Sequence, residues 1–286
     1  MMKKYKWSVA GLSAILSVGL SAILSVGLLA GCGAEGDGPA EVEAPAEEPT
    51  EEVNEDATSG EGGTLIMATS ADYPPYESVD LESGEIVGFD IDIANHIASE
   101  LGYELEIQDV DFNGLIPAME AGRADFVLAG MTPTEERKEN VDFSDIYYEA
   151  QNLIVSKEDQ GLSAVEDLEG LTVGVQLGSI QEGEAEDLAE EIGFNVEKRD
   201  RIPELIQELL AGRLDAILME DTVAAGYMES QSGLAQFEVP SEELAGSAIA
   251  FPKGSELVEP FNDKLNEMID SGLMDELIIK WFDAEE

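Results

Sequence analysis

The chain contains very little cysteine or histidine. Cys32 is its only cysteine and His96 its only histidine among 286 residues. A single cysteine excludes an intramolecular disulfide, so the fold has to be stabilised by its hydrophobic core. A single histidine without a cysteine partner gives no support for a metal site or for a histidine base beside a nucleophile. We therefore expect no metal and no cofactor.

Basic residues are also scarce. The chain has 14 lysines and arginines against 63 aspartates and glutamates, which gives a formal net charge of −49. Nucleic acids and anionic membranes are bound by clusters of basic side chains, so we expect this protein to bind neither through its charge. Motifs of catalysis are missing as well: there is no nucleophile elbow, no H-E-x-x-H pair and no phosphate-binding Gly-Lys loop. These absences favour a protein that is not an enzyme.

The first 32 residues predict export. Three lysines (Lys3, Lys4 and Lys6) precede an apolar run from about Val9 to Ala30, which is lengthened by a direct repeat of LSAILSVG. The run approaches the length of a membrane-spanning helix, so an uncleaved anchor is the alternative. The segment Leu29-Ala30-Gly31-Cys32 resembles the bacterial lipobox, in which the cysteine is acylated and becomes the first residue. We predict a lipoprotein signal peptide over residues 1–31 and a lipid on Cys32 that holds the chain at the outer face of the cell membrane.

Residues 32–63 have the composition of a tether. From residue 33 onward they contain eleven acidic residues, no basic ones and almost no large apolar side chains. Such a segment buries too little surface to offset the entropy lost on ordering, and its charges repel one another. We predict an extended, disordered spacer.

From Thr64 onward, short apolar runs alternate with helical patterns, which is typical of an α/β protein with mainly parallel sheets. Leu65–Thr69 predicts the first strand, and Ser70–Tyr76 a loop after it. Asp90–Leu101 predicts an amphipathic helix that ends before Gly102, with His96 away from the apolar face.

An internal duplication suggests two similar halves. Residues 115–129 read LIPAMEAGRADFVLA and residues 205–219 read LIQELLAGRLDAILM, an offset of 90. Each copy predicts a helix, a glycine stop and a buried strand, Phe126–Ala129 and Ala216–Met219. Chance recurrence in an α/β protein is the alternative. Polar residues follow both strands, and ligands of open α/β sheets bind beyond the carboxyl ends of the strands. The duplication therefore favours a cleft lined from two lobes.

Several motifs together resemble one family. In chain order they are Ser70-Ala71-Asp72-Tyr73-Pro74-Pro75-Tyr76, Val87-Gly88-Phe89-Asp90-Ile91-Asp92, Asp111-Phe112-Asn113-Gly114-Leu115-Ile116-Pro117, Gly130-Met131-Thr132-Pro133-Thr134-Glu135-Glu136-Arg137, Val141-Asp142-Phe143-Ser144, Gly174-Val175-Gln176-Leu177-Gly178-Ser179, Gly212–Asp215 and Lys280-Trp281-Phe282. Over about residues 64–283 the chain is similar to the extracellular solute-binding proteins of family 3, the substrate-binding lipoproteins of polar amino-acid ABC importers.

This resemblance implies a fold and a mechanism. The fold is the type II periplasmic-binding fold, two α/β lobes with a ligand cleft between them. Lobe 1 is expected over residues 64–153 and 248–286, and lobe 2 over residues 154–247, with hinges near Gln151–Ser156 and Gly246–Phe251. The protein would capture a free polar or cationic amino acid and deliver it to a permease, with an ATPase driving import. A ligand-sensing receptor subunit and, less favoured, a dehydratase-like enzyme are the alternatives.

The resemblance and the chemistry of an amino acid together suggest the site. A carboxylate calls for a bidentate guanidinium and backbone N–H donors, which Arg137 would supply with Thr132, Gly130 and a helix opening at Gly178-Ser179-Ile180. An ammonium calls for a carboxylate, and Asp221 holds the matching position in the family; a helix N-cap is the alternative role for Asp221.

The remaining candidates would contact the ligand side chain. Tyr73 and Phe112 match the aromatic residues that sandwich it, and Gln176 has an amide to offer a polar group. Glu77 would receive a guanidinium or amide, with a solvated surface carboxylate as the alternative. Ser70 stands where relatives that bind dibasic amino acids often carry Asp, which weakens a strict lysine or ornithine preference. Arginine, glutamine and other polar amino acids stay open.

Overall fold

The computed structural model describes residues 62–240 and 245–282. The signal peptide, Cys32 and nearly all of the predicted tether lie outside the described residues. In chain order the strands are β1 (Thr64–Thr69), β2 (Asp72–Tyr73), β3 (Glu77–Val79), β4 (Ile86–Val87), β5 (Glu104–Asp109), β6 (Phe126–Val127), β7 (Val141–Ala150), β8 (Asn152–Lys157), β9 (Thr172–Gln176), β10 (Asn195–Arg199), β11 (Ala216–Glu220), β12 (Leu234–Glu238) and β13 (Ala245–Pro252). The α-helices are α1 (Phe89–Glu100), α2 (Leu115–Glu120), α3 (Glu135–Asn140), α4 (Ile180–Ile192), α5 (Ile202–Leu210), α6 (Asp221–Ser230), α7 (Val258–Ser271) and α8 (Leu273–Trp281).

Two five-stranded sheets share one plan. The first sheet has the order β5-β1-β6-β13-β7 and the second the order β10-β9-β11-β8-β12. In each sheet a central strand pairs in parallel with two neighbours, β1 with β5 and β6, and β9 with β10 and β11. Each sheet is completed by two antiparallel strands. Strands β2, β3 and β4 form a small third sheet.

The duplicated segments occupy equivalent places in the two sheets. Helices α2 and α5 lead into β6 and β11, and the aspartate before each of these strands makes the same contacts. Asp125 Oδ2 accepts a hydrogen bond from the backbone N–H of Ile66 at 2.7 Å, and Asp215 Oδ2 accepts one from Thr172 at 2.8 Å. Their own N–H groups donate back to the same two residues. The repeat is thus structural: each aspartate bonds to the strand that pairs in parallel with two neighbours, β1 in the first sheet and β9 in the second.

The predicted elements agree with the structure except at their ends. The first strand is confirmed as β1, and the amphipathic helix is confirmed as α1, one residue earlier than predicted. The predicted loop over Ser70–Tyr76 contains the two-residue strand β2. Strand β6 stops two residues before the predicted Ala129, whereas β11 continues one residue beyond the predicted Met219, to Glu220. The last difference matters for the site.

The chain passes between the sheets twice. Gln151 alone separates β7 of the first sheet from β8 of the second, and residues 239–244 precede the return to the first sheet in β13. The predicted hinge segments therefore lie mostly inside strands: Asn152–Ser156 in β8 and Gly246–Phe251 in β13. The predicted bounds of the two lobes stay a prediction.

The C-terminal helices pack on the first sheet. Phe261 of α7 is fully buried, with its ring centroid 4.9 Å from that of Phe126 and 5.4 Å from that of Phe251. Within residues 62–240 and 245–282 no helix combines the length and the apolar character needed to cross a membrane.

Candidate functional site

A cavity lies between the two sheets, at the ends of several strands. The first-sheet side contributes Tyr73, Phe112, Gly130, Thr132 and Arg137, and the second-sheet side Gln176, Ser179, Ile180, Gln181 and Glu220. Gln176 and Glu220 are the last residues of β9 and β11. This is the edge where α/β sheets bind ligands, because the strands stop and their following loops leave a crevice.

Arg137 provides a positive charge at one end of the cavity. It lies in α3, whose N-cap Thr134 accepts a hydrogen bond from the Arg137 backbone N–H. The guanidinium donates through Nη1 to the carbonyl of Thr132 and through Nη2 to the carbonyl of Gly178, both at 2.8 Å. The guanidinium carbon Cζ lies 5.3 Å from the ring centroid of Phe112. Burial lowers the pKa of Arg137 to about 10, so the side chain is still charged at neutral pH.

The N-terminus of α4 lies beside Arg137. The helix predicted to open at Gly178-Ser179-Ile180 is confirmed as α4, which begins at Ile180. Ser179 is its N-cap: Ser179 Oγ accepts from the N–H of Glu182 at 3.2 Å and donates to the carbonyl of Gln176 at 2.7 Å. The positive end of a helix dipole favours an anion at this position. Together with Arg137, the helix makes this end of the cavity suitable for a carboxylate.

Glu220 places a carboxylate in the same cavity. It is 3 % exposed, and its Oε1 accepts hydrogen bonds from the hydroxyls of Tyr76 at 2.5 Å and Thr222 at 2.8 Å. The Tyr73 hydroxyl lies 3.5 Å from Oε2. Burial raises the pKa of Glu220 to about 7 despite these donors. The cavity therefore has a cationic group and an acidic group on opposing walls.

Two more carboxyl groups lie next to this wall. Glu77 and Asp90 are both fully buried. Asp90 Oδ2 accepts from the N–H of Gly130 and from the hydroxyl of Tyr147, each at 2.9 Å. Burial raises the pKa of Asp90 to about 7, and burial together with the neighbouring Asp90 raises the pKa of Glu77 well above its usual value. Glu77 is thus not the solvated surface carboxylate that the sequence left open.

Seven of the predicted ligand-binding residues line the cavity: Tyr73, Phe112, Gly130, Thr132, Arg137, Gln176 and Ile180. Their role in binding stays a prediction, but the fold brings them together from both sides. Three others are placed elsewhere. Glu77 lies among the buried carboxyls described above, outside the lining residues.

Ser70 and Asp221 do not reach the cavity. Ser70 is 1 % exposed and its hydroxyl donates to Asp72 Oδ1 at 2.8 Å, a bond within its own loop. Asp221 is the first residue of α6, and its Oδ1 accepts from the backbone N–H groups of Thr222 and Gln151. The N-cap role is wrong, because β11 runs through Glu220, which is itself the N-cap. The ammonium contact stays a prediction, and Asp221 is not among the residues that line the cavity. The carboxylate in the cavity is one residue earlier than predicted.

Sequence reasoning missed Glu220 and Gln181. The signal for Glu220 was present, since it directly follows the buried strand, but the strand end was placed one residue too early. Gln181 carries no motif of its own; its amide donates to Asn152 Oδ1 at 2.8 Å. In the part of the chain that the structure describes, no group of His, Cys, Asp and Glu is arranged to hold a metal ion.

Direct contacts join the two sides around the cavity. Besides the Arg137 bond to Gly178, Arg201 of the second-sheet side forms ion pairs with Asp109 at 2.8 Å and Asp111 at 2.5 Å. The N–H of Ile202 donates to Asp72 Oδ2 at 2.7 Å. The cavity is therefore enclosed by two sides that are held together by charged and polar contacts.

Comparison with known proteins fits this geometry. Residues 65–284 match the model of the bacterial extracellular solute-binding proteins, family 3, and the chain belongs to that family. It is 52 % identical over 223 residues to the arginine-binding extracellular protein ArtP of Bacillus subtilis (strain 168), covering 77 % of this chain and 87 % of that protein.

Solved structures resemble the fold as well. An ancestral arginine-binding protein, solved bound to arginine and also bound to glutamine, is 43 % identical with a TM-score of 0.73, covering 77 % of this chain and 98 % of the other in both cases. The predicted family and the type II periplasmic-binding fold are confirmed.

Proposed function

We propose that the chain is the extracellular substrate-binding component of an amino-acid ABC importer and that its ligand is a cationic amino acid, with arginine the first candidate. The observation that carries the proposal is the cavity itself, which brings Arg137 of the first-sheet side together with the α4 N-terminus and Glu220 of the second-sheet side. An amino acid with a positive side chain has one anionic and two cationic groups, and this cavity offers partners for both signs. The named relative binds arginine, which agrees with this charge pattern.

Binding would close the two sides on the ligand. Lining residues come from both sheets, and Gln151 is the single residue between two strands that belong to different sheets. A ligand that contacts both walls favours the closed state by its higher affinity for that state. The closed form would then dock on the permease, and the ATPase would drive import.

A thermal-shift panel of the twenty amino acids on the full chain tests the ligand class. We expect arginine to raise the melting temperature most, since a ligand at a thousand times its dissociation constant adds about 4 kcal/mol to the free energy of unfolding. Citrulline, which has nearly the shape of arginine without its charge, is the control. A shift with sugars or aromatic acids and none with any amino acid would reject the proposal.

We also propose that Cys32 carries the lipid that holds the protein at the cell surface. The support is the sequence of residues 1–32, and the anchor would keep the captured amino acid near the permease. Two acyl chains are sufficient for stable attachment. Metabolic labelling with palmitate is expected to mark the wild-type chain and not the Cys32→Ser variant, which should keep its uncleaved signal peptide. Equal labelling of both would contradict the assignment.

A further inference from the structure

A single arginine forms all the ion pairs that cross between the two sides of the cavity in the described residues. Arg201, the N-cap residue of α5, belongs to the second-sheet side. Its guanidinium contacts three carboxylates of the first-sheet side: Asp109 at 2.8 Å, Asp111 at 2.5 Å and Asp72 at 3.7 Å. Every other ion pair within residues 62–240 and 245–282 joins two residues of the same side. We refer to Arg201 and these three aspartates as the closure cluster.

Two hydrogen bonds join the sides at the same place. Asp72 is 7 % exposed, and its Oδ2 accepts from the backbone N–H of Ile202 at 2.7 Å, while its carbonyl accepts from the Tyr227 hydroxyl at 2.9 Å. Both donors belong to the second-sheet side. Asp72 directly precedes Tyr73, which lines the cavity. Contacts from the second-sheet side therefore hold the backbone beside one wall of the cavity.

The charge of the chain makes a cation at this boundary important. The protein has 63 acidic residues against 14 basic ones, so like-charge repulsion opposes the approach of two acidic surfaces. The Arg201 side chain is 23 % exposed, and partly buried pairs are screened less by salt than exposed ones. In the part of the chain that the structure describes, no other lysine or arginine pairs with the three aspartates. Without Arg201 they would meet the second-sheet side with no counter-charge.

The closure cluster acts after the ligand has entered. Its contacts join residues of different sides, so they form only when the sides meet, and a ligand has to enter before that. Contacts that are present only in the closed state favour that state and have to break before the sides can separate. The closure cluster is therefore expected to slow ligand release and to leave ligand entry almost unchanged.

We propose that Arg201 is a positioning residue for amino-acid capture, which stabilises the closed state through the closure cluster and thereby sets the rate at which a captured ligand leaves. Arg201 does this without contacting the ligand, since it is not among the residues that line the cavity. The inference rests on the proposed function and extends it, because it names a residue that acts on release rather than on recognition.

The test compares the kinetics of arginine binding by wild type and Arg201→Ala on the full chain. Stopped-flow mixing measures association, and a chase of bound radiolabelled arginine with unlabelled arginine measures dissociation. The matched control is Arg199→Ala. Arg199 lies two residues earlier, its side chain is 29 % exposed, and its ion pairs with Glu197 and Glu208 stay on the second-sheet side. Thermal melting without ligand shows that each variant is folded.

A second variant, Asp111→Ala, tests whether the contact across the two sides carries the effect. The Asp111 carboxylate pairs with Arg201 and makes no capping bond to the short helix that follows it. Asp111→Ala is therefore made both in wild type and in Arg201→Ala. Two residues that act only through each other give a double variant no worse than the more severe single variant.

We expect Arg201→Ala to release arginine about ten-fold faster, since it loses three partly exposed ion pairs at once, while association changes less than about two-fold. The control should match wild type. Asp111→Ala should release arginine faster than wild type and should add nothing to Arg201→Ala.

A folded Arg201→Ala variant with the wild-type release rate would overturn the proposal, and so would a loss of affinity that lies in association. Equal acceleration by Asp111→Ala in both backgrounds would overturn it as well. If Arg201→Ala does not fold, unchanged release by Asp111→Ala decides against the proposal. A wild-type chain that captures no amino acid would instead reject the proposed function, so the two failures are distinguishable.

Discussion

Replacing Arg137 by alanine is expected to remove most of the affinity for an amino acid. Arg137 is the cationic group of the cavity, and its guanidinium donates to Thr132 on its own side and to Gly178 on the other side. Truncating one member of a buried charge pair leaves the ligand carboxylate without its partner and costs about 3–5 kcal/mol. The dissociation constant should therefore rise about a hundred- to several-thousand-fold. Calorimetric titration with arginine measures it.

The neighbouring Lys138→Ala variant is the control for the Arg137 experiment. The Lys138→Ala substitution removes the same charge from the same helix, but the Lys138 side chain is exposed and pairs with Glu135. Its affinity should stay close to wild type, and Arg137→Lys should fall between the two because an ammonium cannot make bidentate bonds. Near-normal binding by a folded Arg137→Ala protein would reject Arg137 as the carboxylate partner.

Replacing Gly88 by alanine is expected to cause the largest loss of stability. Gly88 precedes α1 with φ at +150°, a conformation that favours glycine. A Cβ atom at this position would overlap the carbonyl oxygen of Tyr76 and lie 2.5 Å from its carbon and 2.8 Å from Glu77 Cα. These are backbone atoms, so no side chain can move aside. Strain in φ and overpacking together are expected to cost roughly 3–5 kcal/mol.

Chemical denaturation of wild type and Gly88→Ala measures this loss. Gly84→Ala is the matched control: it also has a positive φ, of +76°, but nothing lies within 4 Å of its added Cβ. It should lose only about 1–2 kcal/mol, the usual cost of a left-handed residue. Equal denaturation midpoints for the two variants would mean that the close approach of α1 to Tyr76 and Glu77 does not limit the fold. That approach matters for function because it buries Glu77 beside Asp90.

Much of the fold was predictable because it depends on local patterns. Apolar alternation and a glycine stop predict β1 and α1, and the offset of 90 predicts two equivalent sheets through Asp125 and Asp215. Arg137 was predicted from the motif that runs from Gly130 to Arg137, which is also a local pattern. The seven predicted lining residues lie at strand ends, in the loops after strands or in the first turn of helices, where polar residues are conspicuous in a sequence.

Glu220 and Glu77 show where sequence reasoning stops. A shift of one residue at a strand end exchanges the side chain that faces the cavity, and a strand end is set by pairing with β8 rather than by composition. The sequence left two roles open for Glu77, a contact to the ligand and a solvated surface carboxylate. Its burial depends on the packing of α1 over it, which the sequence pattern does not reveal. The buried carboxyls Glu77, Asp90 and Glu220 come from three separate elements, and no spacing in the sequence reveals their burial.

The most direct test of the account is a crystal structure of the protein with arginine bound. We predict the ligand carboxylate on Arg137 and the α4 N-terminus, with its positive groups turned toward Glu220 and the buried carboxyls behind it. Arginine bound with its carboxylate away from Arg137, or seated in the separate cavity lined by Pro74, Tyr148 and Trp281, would contradict it.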